Sequence, residues 1–420
     1  MTTISVAVVG AGQAGLAVSH LLTAAGIEHV VLERGEPAHR WRTRPWQSLR
    51  LLTPNWMTRL PGRSYTGPDP AGFMSAAEVA GYLTGYARSS DAPVRTGADV
   101  RSVRPSDAGY RVTTTAGEWS AAAVVLATGW ADRPHVPALA AGLHPALEQV
   151  TAATYRSAER LPDGGVLVVG ASASGVQLAD EIAGTGRPVF LAVGAHTRLP
   201  RRYRGLDILW WLDAMRLLER RLPVRLAPRP VAASSLQLTG RSGSRDVDLR
   251  SLQDRGVTLL GRVTGAQGHR LRLADDLVET TATADARLVR LLRRIDDYAH
   301  VVGLDDEILP PAPVVPVRAA ADRPRELVLA RAGIRSVVWA TGYRRAYPWL
   351  QVPVLDAAGE IRHVAGTTAA PGLHVVGMSE QTRRNSTFID GVRHDAAAVV
   401  TRILGDLRAA PASRAPELAA

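Results

Sequence analysis

Two short runs in this chain of 420 residues can do chemistry with their backbone alone: Gly10-Ala11-Gly12-Gln13-Ala14-Gly15 and Gly170-Ala171-Ser172-Ala173-Ser174-Gly175. Each follows a Val-rich segment and precedes a helix-like stretch. In such a run the first small residue permits a tight strand-to-helix turn, the second lets a pyrophosphate approach the backbone, and the third allows the helix to pack close to the strand. The free N–H groups and positive end of the helix then face the phosphates. Two runs 160 residues apart therefore predict two bound dinucleotides.

The residues after each run differ in a way that separates the two nucleotides. Glu33 lies 23 residues beyond Gly10, at the end of the next strand, where a carboxylate can accept hydrogen bonds from both hydroxyls of an adenosine ribose. The equivalent position after Gly170 is Val193, followed by His196, Thr197, Arg198, Arg201 and Arg202. An acid there would repel a 2′-phosphate, whereas arginine would hold it by paired charge-assisted bonds, so NADP is favoured over NAD at the second site.

The elements needed to position these groups are readable from hydrophobic pattern. Ile4 to Val9, a helix from about Ala14 to Ala25 and the strand His29 to Glu33 make a βαβ unit; Gly165 to Val169, a helix from Gly175 to Gly184 and Pro188 to Val193 make a second. Two further buried strands end alike, Ala127-Thr128-Gly129 and Ala340-Thr341-Gly342. Helices are expected over Ser75 to Arg88, Asp207 to Arg221, Leu277 to Val301 and Asp390 to Leu407, and a strand pair over Gly97 to Thr115 turning at Asp107-Ala108-Gly109. The apolar stripe of the second of these helices, Trp210, Trp211, Leu212, Met215, Leu218 and Leu222, reads as core or dimer-facing surface.

Composition narrows the class. With 46% hydrophobic residues the chain can bury two or three domain cores. It contains no lysine, so all 50 basic residues are arginines; scattered among 39 acidic residues, they do not make a nucleic-acid footprint despite the net charge of +11. The absence of cysteine removes disulfide, thiolate-metal and redox-dithiol chemistry and fits a reducing cytoplasm. The eleven histidines show no ligand spacing, and no metal site is expected. Residues 4–26 carry no formal charge, but their glycine spacing and the missing basic flank argue for a nucleotide-binding unit and against a signal peptide or membrane insertion.

With the paired glycine runs and the paired Ala-Thr-Gly strands, residues 4 to 405 resemble the two-dinucleotide flavoproteins, and among them class B flavin monooxygenases, including bacterial flavin-containing-monooxygenase-like and YUCCA-like proteins. The resemblance implies an α/β fold of two Rossmann-like domains, with an NADP domain inserted into an FAD domain: residues 1–158 and 326–407 for FAD, 159–325 for NADP, and a disordered tail over 408–420. For FAD it implies contacts from Gly10, Gly12, Gln13, Ala14, Gly15, Glu33, Arg34, Val100, Ala127, Thr128 and Gly129. Arg40 and Trp41 would lie along the ribityl chain, Pro54 and Asn55 beside the flavin ring, and Met378 after the last glycine-bearing strand, where disulfide-reductase relatives carry Asp. For NADPH it implies Gly170, Ser172, Ala173, Ser174, Gly175, Arg198 and Arg201, with Thr341 and Gly342 nearby. Asp390 would open the final helix, whose positive end would face flavin N1 and C2=O.

The implied activity is insertion of one oxygen atom of O2 into a small organic substrate through a C4a-(hydro)peroxyflavin, with Asn55 as the catalytic residue. An Asx-turn role for Asn55 stays open. So does the choice between substrate wall and plain core for Trp41, Trp46, Trp56 and Trp130. The family signature Phe-x-Gly-x-x-x-His-x-x-x-Tyr keeps its tyrosine as Tyr155 but has Thr151 at the histidine position. Two other classes remain: an NAD(P)H-dependent flavin reductase serving a protein or quinone acceptor, and a non-catalytic nucleotide sensor. A homodimer is compatible with all three.

Overall fold

The computed structural model describes residues 1–223, 235–240, 246–318 and 324–409. Its largest sheet has nine strands, with Thr2–Val9 at the centre between Gly117–Leu126 and His29–Leu32, all parallel. These strands are nearly continuous aliphatic runs because both faces are covered. One face packs against the helices Gln13–Ala24, Ala76–Ser89 and Val392–Ala409, the other against a hydrophobic layer that includes Tyr110, Tyr347 and Leu350. Ser75 caps the helix Ala76–Ser89 in a reciprocal bond pair with Glu78.

A second, wholly parallel sheet runs in the order Glu148–Thr151, Ile334–Trp339, Gly165–Val169, Val189–Ala192, Thr258–Leu260. The strand Val263–Gln267 with Arg270–Leu273 and Glu326–Val328 forms an antiparallel flap beside it. In sequence all of this falls between Gly117–Leu126 and Leu373–Val375, two adjacent strands of the first sheet, so the second domain is an insertion in the first. The chain leaves and returns through one antiparallel ribbon, Arg133–Pro134 against Tyr343–Arg344.

That ribbon corrects the expected boundaries of 158 and 325. Those boundaries put Glu148–Thr151, Glu326–Val328 and Ile334–Trp339 in the outer domain, whereas they hydrogen-bond within the inserted one. The second Ala-Thr-Gly strand thus belongs to the second nucleotide unit, as the first belongs to the first. The last helix extends through Arg408 to Ala409, two residues into the expected tail; the rest of that tail lies outside the described residues.

The helix expected over Asp207 to Arg221 spans only Ile208–Ala214. Arg216 takes a left-handed φ of 52°, and the Leu217 N–H reaches back to Leu212 O, a helix terminus usually marked by glycine. The apolar stripe continues past it in irregular chain, with Leu218 still buried. By contrast, the helix expected over Leu277 to Val301 has those bounds, since Leu277, Thr281, Ala284, Leu288, Leu292, Ile295 and Ala299 form its one buried face.

Candidate active site

The two glycine turns have one geometry. Gly10 has φ 104° and Gly170 φ 106°; their N–H groups donate to Leu32 O and Ala192 O at 2.8 and 3.0 Å. The strand beyond closes on each turn, with Ala127 N–H donating to Val9 O and Ala340 N–H to Val169 O, both at 2.9 Å. A β-carbon on Gly10 would sit 2.8 Å from Ala127 O, and one on Gly170 would sit 2.5 Å from Ala340 O. On Gly15 or Gly175 it would lie 1.8 Å from the carbonyl oxygen of the turn's first glycine. Both turns occupy the point where strand order reverses, at the C-terminal ends of parallel strands, where open α/β sheets bind ligands.

Each turn is also open where a phosphate must approach. Gly12 would place a β-carbon in empty space, and neither Gly12 nor Ser172 caps its helix with a side chain. Among the described residues, the first N–H groups of the first helix have no partner; at the second helix Ala173 N–H donates to Ser235 Oγ at 3.4 Å and those of Ser174 and Gly175 remain for an anion. These observations fit a pyrophosphate in each cradle.

Around the first cradle, Glu33 is buried, accepting from Ala11 N–H at 2.8 Å and Gly35 N–H at 3.2 Å. This fixes its carboxylate at the strand end with lone pairs left for a ribose. Arg34 beside it is exposed. The loop then folds back, Ala38 N–H donating to Ala11 O. Arg40 donates to Ala131 O and to Asp132 Oδ1, both at 2.7 Å, and reaches the open Gly129. Burial lowers its pKa, which Asp132 partly offsets. Gln13 and Ala14 face the last segment of the chain: Gln13 donates to Thr387 O, and a β-carbon on Gly377 would come within 2.9 Å of that of Ala14. Val100 is buried at the start of its strand.

Asn55 is buried in a single turn of 3-10 helix begun by Pro54. Its amide donates to Asp69 O at 2.8 Å and accepts from Met74 N–H at 2.9 Å, so half of its hydrogen-bonding capacity holds the loop 69–74. One amide N–H is left over. Asp390 is buried in an ionic cluster with Arg59 at 2.6 Å and Arg393 at 3.1 Å. Arg59 continues to Asp213, and Arg393 to Glu219, tying the inserted domain to the last helix.

Several expected contacts fall elsewhere. Arg198 is bound by Asp248 and Asp285 at 2.6 and 2.7 Å; burial opposes its charge, but the two carboxylates outweigh that and raise its pKa. Arg201 is bound by Asp207, Leu52 O and Thr239 O. Neither offers a guanidinium to a 2′-phosphate, because both are buried with their terminal nitrogens held by carboxylates and carbonyls of the chain. Met378 points into the core, its sulfur near Tyr347, and its N–H donates to Gln381. Thr341 donates to His135 O beside Gly342. The four tryptophans do not share a wall: Trp46 is core of the inserted domain, Trp41 packs under the first cradle, Trp56 sits beside Arg59, and Trp130 is exposed against Tyr343. Tyr155 donates to Glu181 at 2.9 Å, on the helix of the second cradle.

Gln237 had no signal in the sequence. It lies 66 residues beyond Ala171, yet its amide donates to Ala171 O at 2.6 Å, the place Ala38 N–H takes at Ala11 O in the first cradle.

Residues 7–204 match the family model of pyridine nucleotide-disulphide oxidoreductases. An uncharacterized CzcO-like oxidoreductase of Geobacillus kaustophilus is 29% identical over 96% of this chain and 98% of its own. Indole-3-pyruvate monooxygenase YUCCA8 of Oryza sativa is 32% identical, over 60% of this chain and 62% of its own. A flavin-containing monooxygenase from Stenotrophomonas maltophilia has the same fold, with a TM-score of 0.68 at 18% identity over 96% of this chain and 99% of its own. The chain is thus similar to flavin-monooxygenase-like oxidoreductases. Such a protein without cysteine cannot run the dithiol relay for which the family model is named. Among the described residues, no helix is long and apolar enough to cross a membrane.

Proposed function

We propose that this protein is an FAD-dependent, NADPH-consuming monooxygenase of the cytoplasm, acting on a small organic molecule and O2. The observation that carries this reading is the duplicated cradle: two turns of one geometry, each leading into a helix N-terminus, in nested domains and a chain without cysteine. Bound flavin would accept hydride from NADPH and activate O2.

The chain's own residues bind and orient. Gly10, Gly12, Gly15 and Glu33 hold the ADP half of the flavin nucleotide; Gly170, Ser172 and Gly175 hold that of NADPH. Asn55 keeps the loop 69–74 against the site, and its remaining amide N–H would serve developing charge. Asp390, balanced by Arg59 and Arg393, brings no uncompensated charge to the start of the last helix.

The test is to reduce the purified protein anaerobically with NADPH, mix it with aerated buffer, and follow the flavin spectrum. A transient distinct from oxidised and reduced flavin, with shorter life in Asn55→Ala, is expected. Direct return to oxidised flavin with rapid reduction of an iron–sulfur or quinone acceptor would make the protein a reductase instead. Tight NADPH binding with no turnover would make it a sensor.

A further inference from the structure

A relay of hydrogen bonds and short backbone steps joins the loop held by Asn55 to the second cradle, and Arg201 is its central link. On one side Asn55 Oδ1 accepts from Met74 N–H, and Met74 O accepts from Leu51 N–H at 2.8 Å. Next along the backbone, Leu52 O accepts from Arg201 Nη1 at 2.8 Å. The same nitrogen reaches Thr239 O at 3.5 Å. On the other side, segment 235–240 grips the second cradle: Gln237 donates to Ala171 O, and Gln177 donates to Leu238 O at 3.0 Å.

Three features make this a fitted junction. Arg201 is 2% exposed, with its guanidinium 5.0 Å from the ring centre of Phe73 in the same loop that Asn55 holds. Its other terminal nitrogen is bound by Asp207. Gly240 lies against the outer domain so closely that a β-carbon there would sit 1.9 Å from Leu51 O. A planar guanidinium can bond two domains at fixed angles, which a flexible ammonium cannot.

We infer that Arg201 is a positioning residue for hydride transfer, holding the second cradle in register with the loop beside the flavin. This rests on the proposed function only for what is transferred; the junction itself is a property of the chain. Hydride transfer demands close approach of donor and acceptor, and a shift of about 1 Å from a distant change can cost on the order of a hundredfold in rate.

The experiment compares Arg201→Met, Arg201→Lys and Gly240→Ala with the parent protein as flavin-loaded full chains. In Arg201→Met the limiting rate of flavin reduction should fall at least tenfold with both NADPH and NADH, while nucleotide Kd changes less than threefold. Arg201→Lys should recover thermal stability but not the rate. Gly240→Ala, which opens the junction from the other side with Arg201 intact, should share the rate loss. Hydrogen exchange provides a readout independent of turnover: amides across 49–55, 72–76 and 171–177 should lose protection together in Arg201→Met and Gly240→Ala.

A loss confined to NADPH affinity would overturn the inference in favour of a 2′-phosphate contact. Unchanged rate and unchanged exchange would overturn it outright. If the parent flavin accepts no hydride from either nucleotide, the proposed function fails, and the exchange data alone decide whether Arg201 couples the loop 69–74 to the second cradle.

Discussion

Adding one methyl group to either cradle should remove one nucleotide and leave the other. In Gly175→Ala the new β-carbon would lie 1.8 Å from Gly170 O. Relieving that overlap to even a tight contact of about 3 Å moves the helix start from the turn by about 1.2 Å, at a folding cost of about 1–3 kcal/mol. A charge-assisted bond to phosphate lengthened that much is lost, at about 1.5–3 kcal/mol each. Two such bonds correspond to a rise in Kd of about two to four orders of magnitude. Gly175→Ala should therefore purify yellow, with full flavin content by absorbance, but bind NADPH weakly in anaerobic titration. Gly15→Ala, with the same overlap against Gly10 O, should purify colourless and still bind NADPH by calorimetry. Equal loss of flavin from both variants, or unchanged NADPH affinity in Gly175→Ala, would refute the assignment of one nucleotide to each turn.

Arg198→Met leaves Asp248 and Asp285 without their shared cation; a loss of about 3–5 kcal/mol is expected in urea unfolding, with no selective effect on NADPH over NADH in steady-state kinetics. His374 is buried, neither ring nitrogen has a hydrogen-bond partner among the described residues, and burial pushes its pKa down to about 4. Its folded pKa is depressed, so the neutral ring's contribution is fully present above about pH 6.5 and is lost as pH falls toward 4; the unfolding free energy from urea titrations should drop by up to about 3 kcal/mol over that window, and less in His374→Leu. Ser75→Ala should cost about 1 kcal/mol of stability through the lost cap and leave flavin reduction unchanged.

The parts of this protein legible in its sequence are those whose physics is local. A strand, a turn needing small residues and a helix lie within about 25 residues of one another, so Gly10 to Glu33 and Gly170 to Val193 identify both cradles before any contact is seen. The long helix Leu277–Val301 was equally plain, because burial on one face repeats every three or four residues. The end of Ile208–Ala214 was not, since Arg216 takes a backbone conformation its side chain does not advertise.

What only the tertiary structure decided is how distant charges and amides pair. Ion pairing has no sequence period: Arg198 looked free beside a nucleotide strand until folding brought Asp248 and Asp285 to it from 50 and 87 residues away. Sheet membership is likewise settled by strand order, which moved Ile334–Trp339 into the inserted domain. Gln237 is joined to the second cradle, and Arg201 to the loop of the outer domain at Leu52, by through-space bonds across 66 and 149 residues. The amino-acid order determined where two dinucleotides can sit, because a turn and a helix end are written in neighbouring residues. Packing alone determined how those two sites are held to each other, because buried cations and amides take whichever partners the fold places beside them.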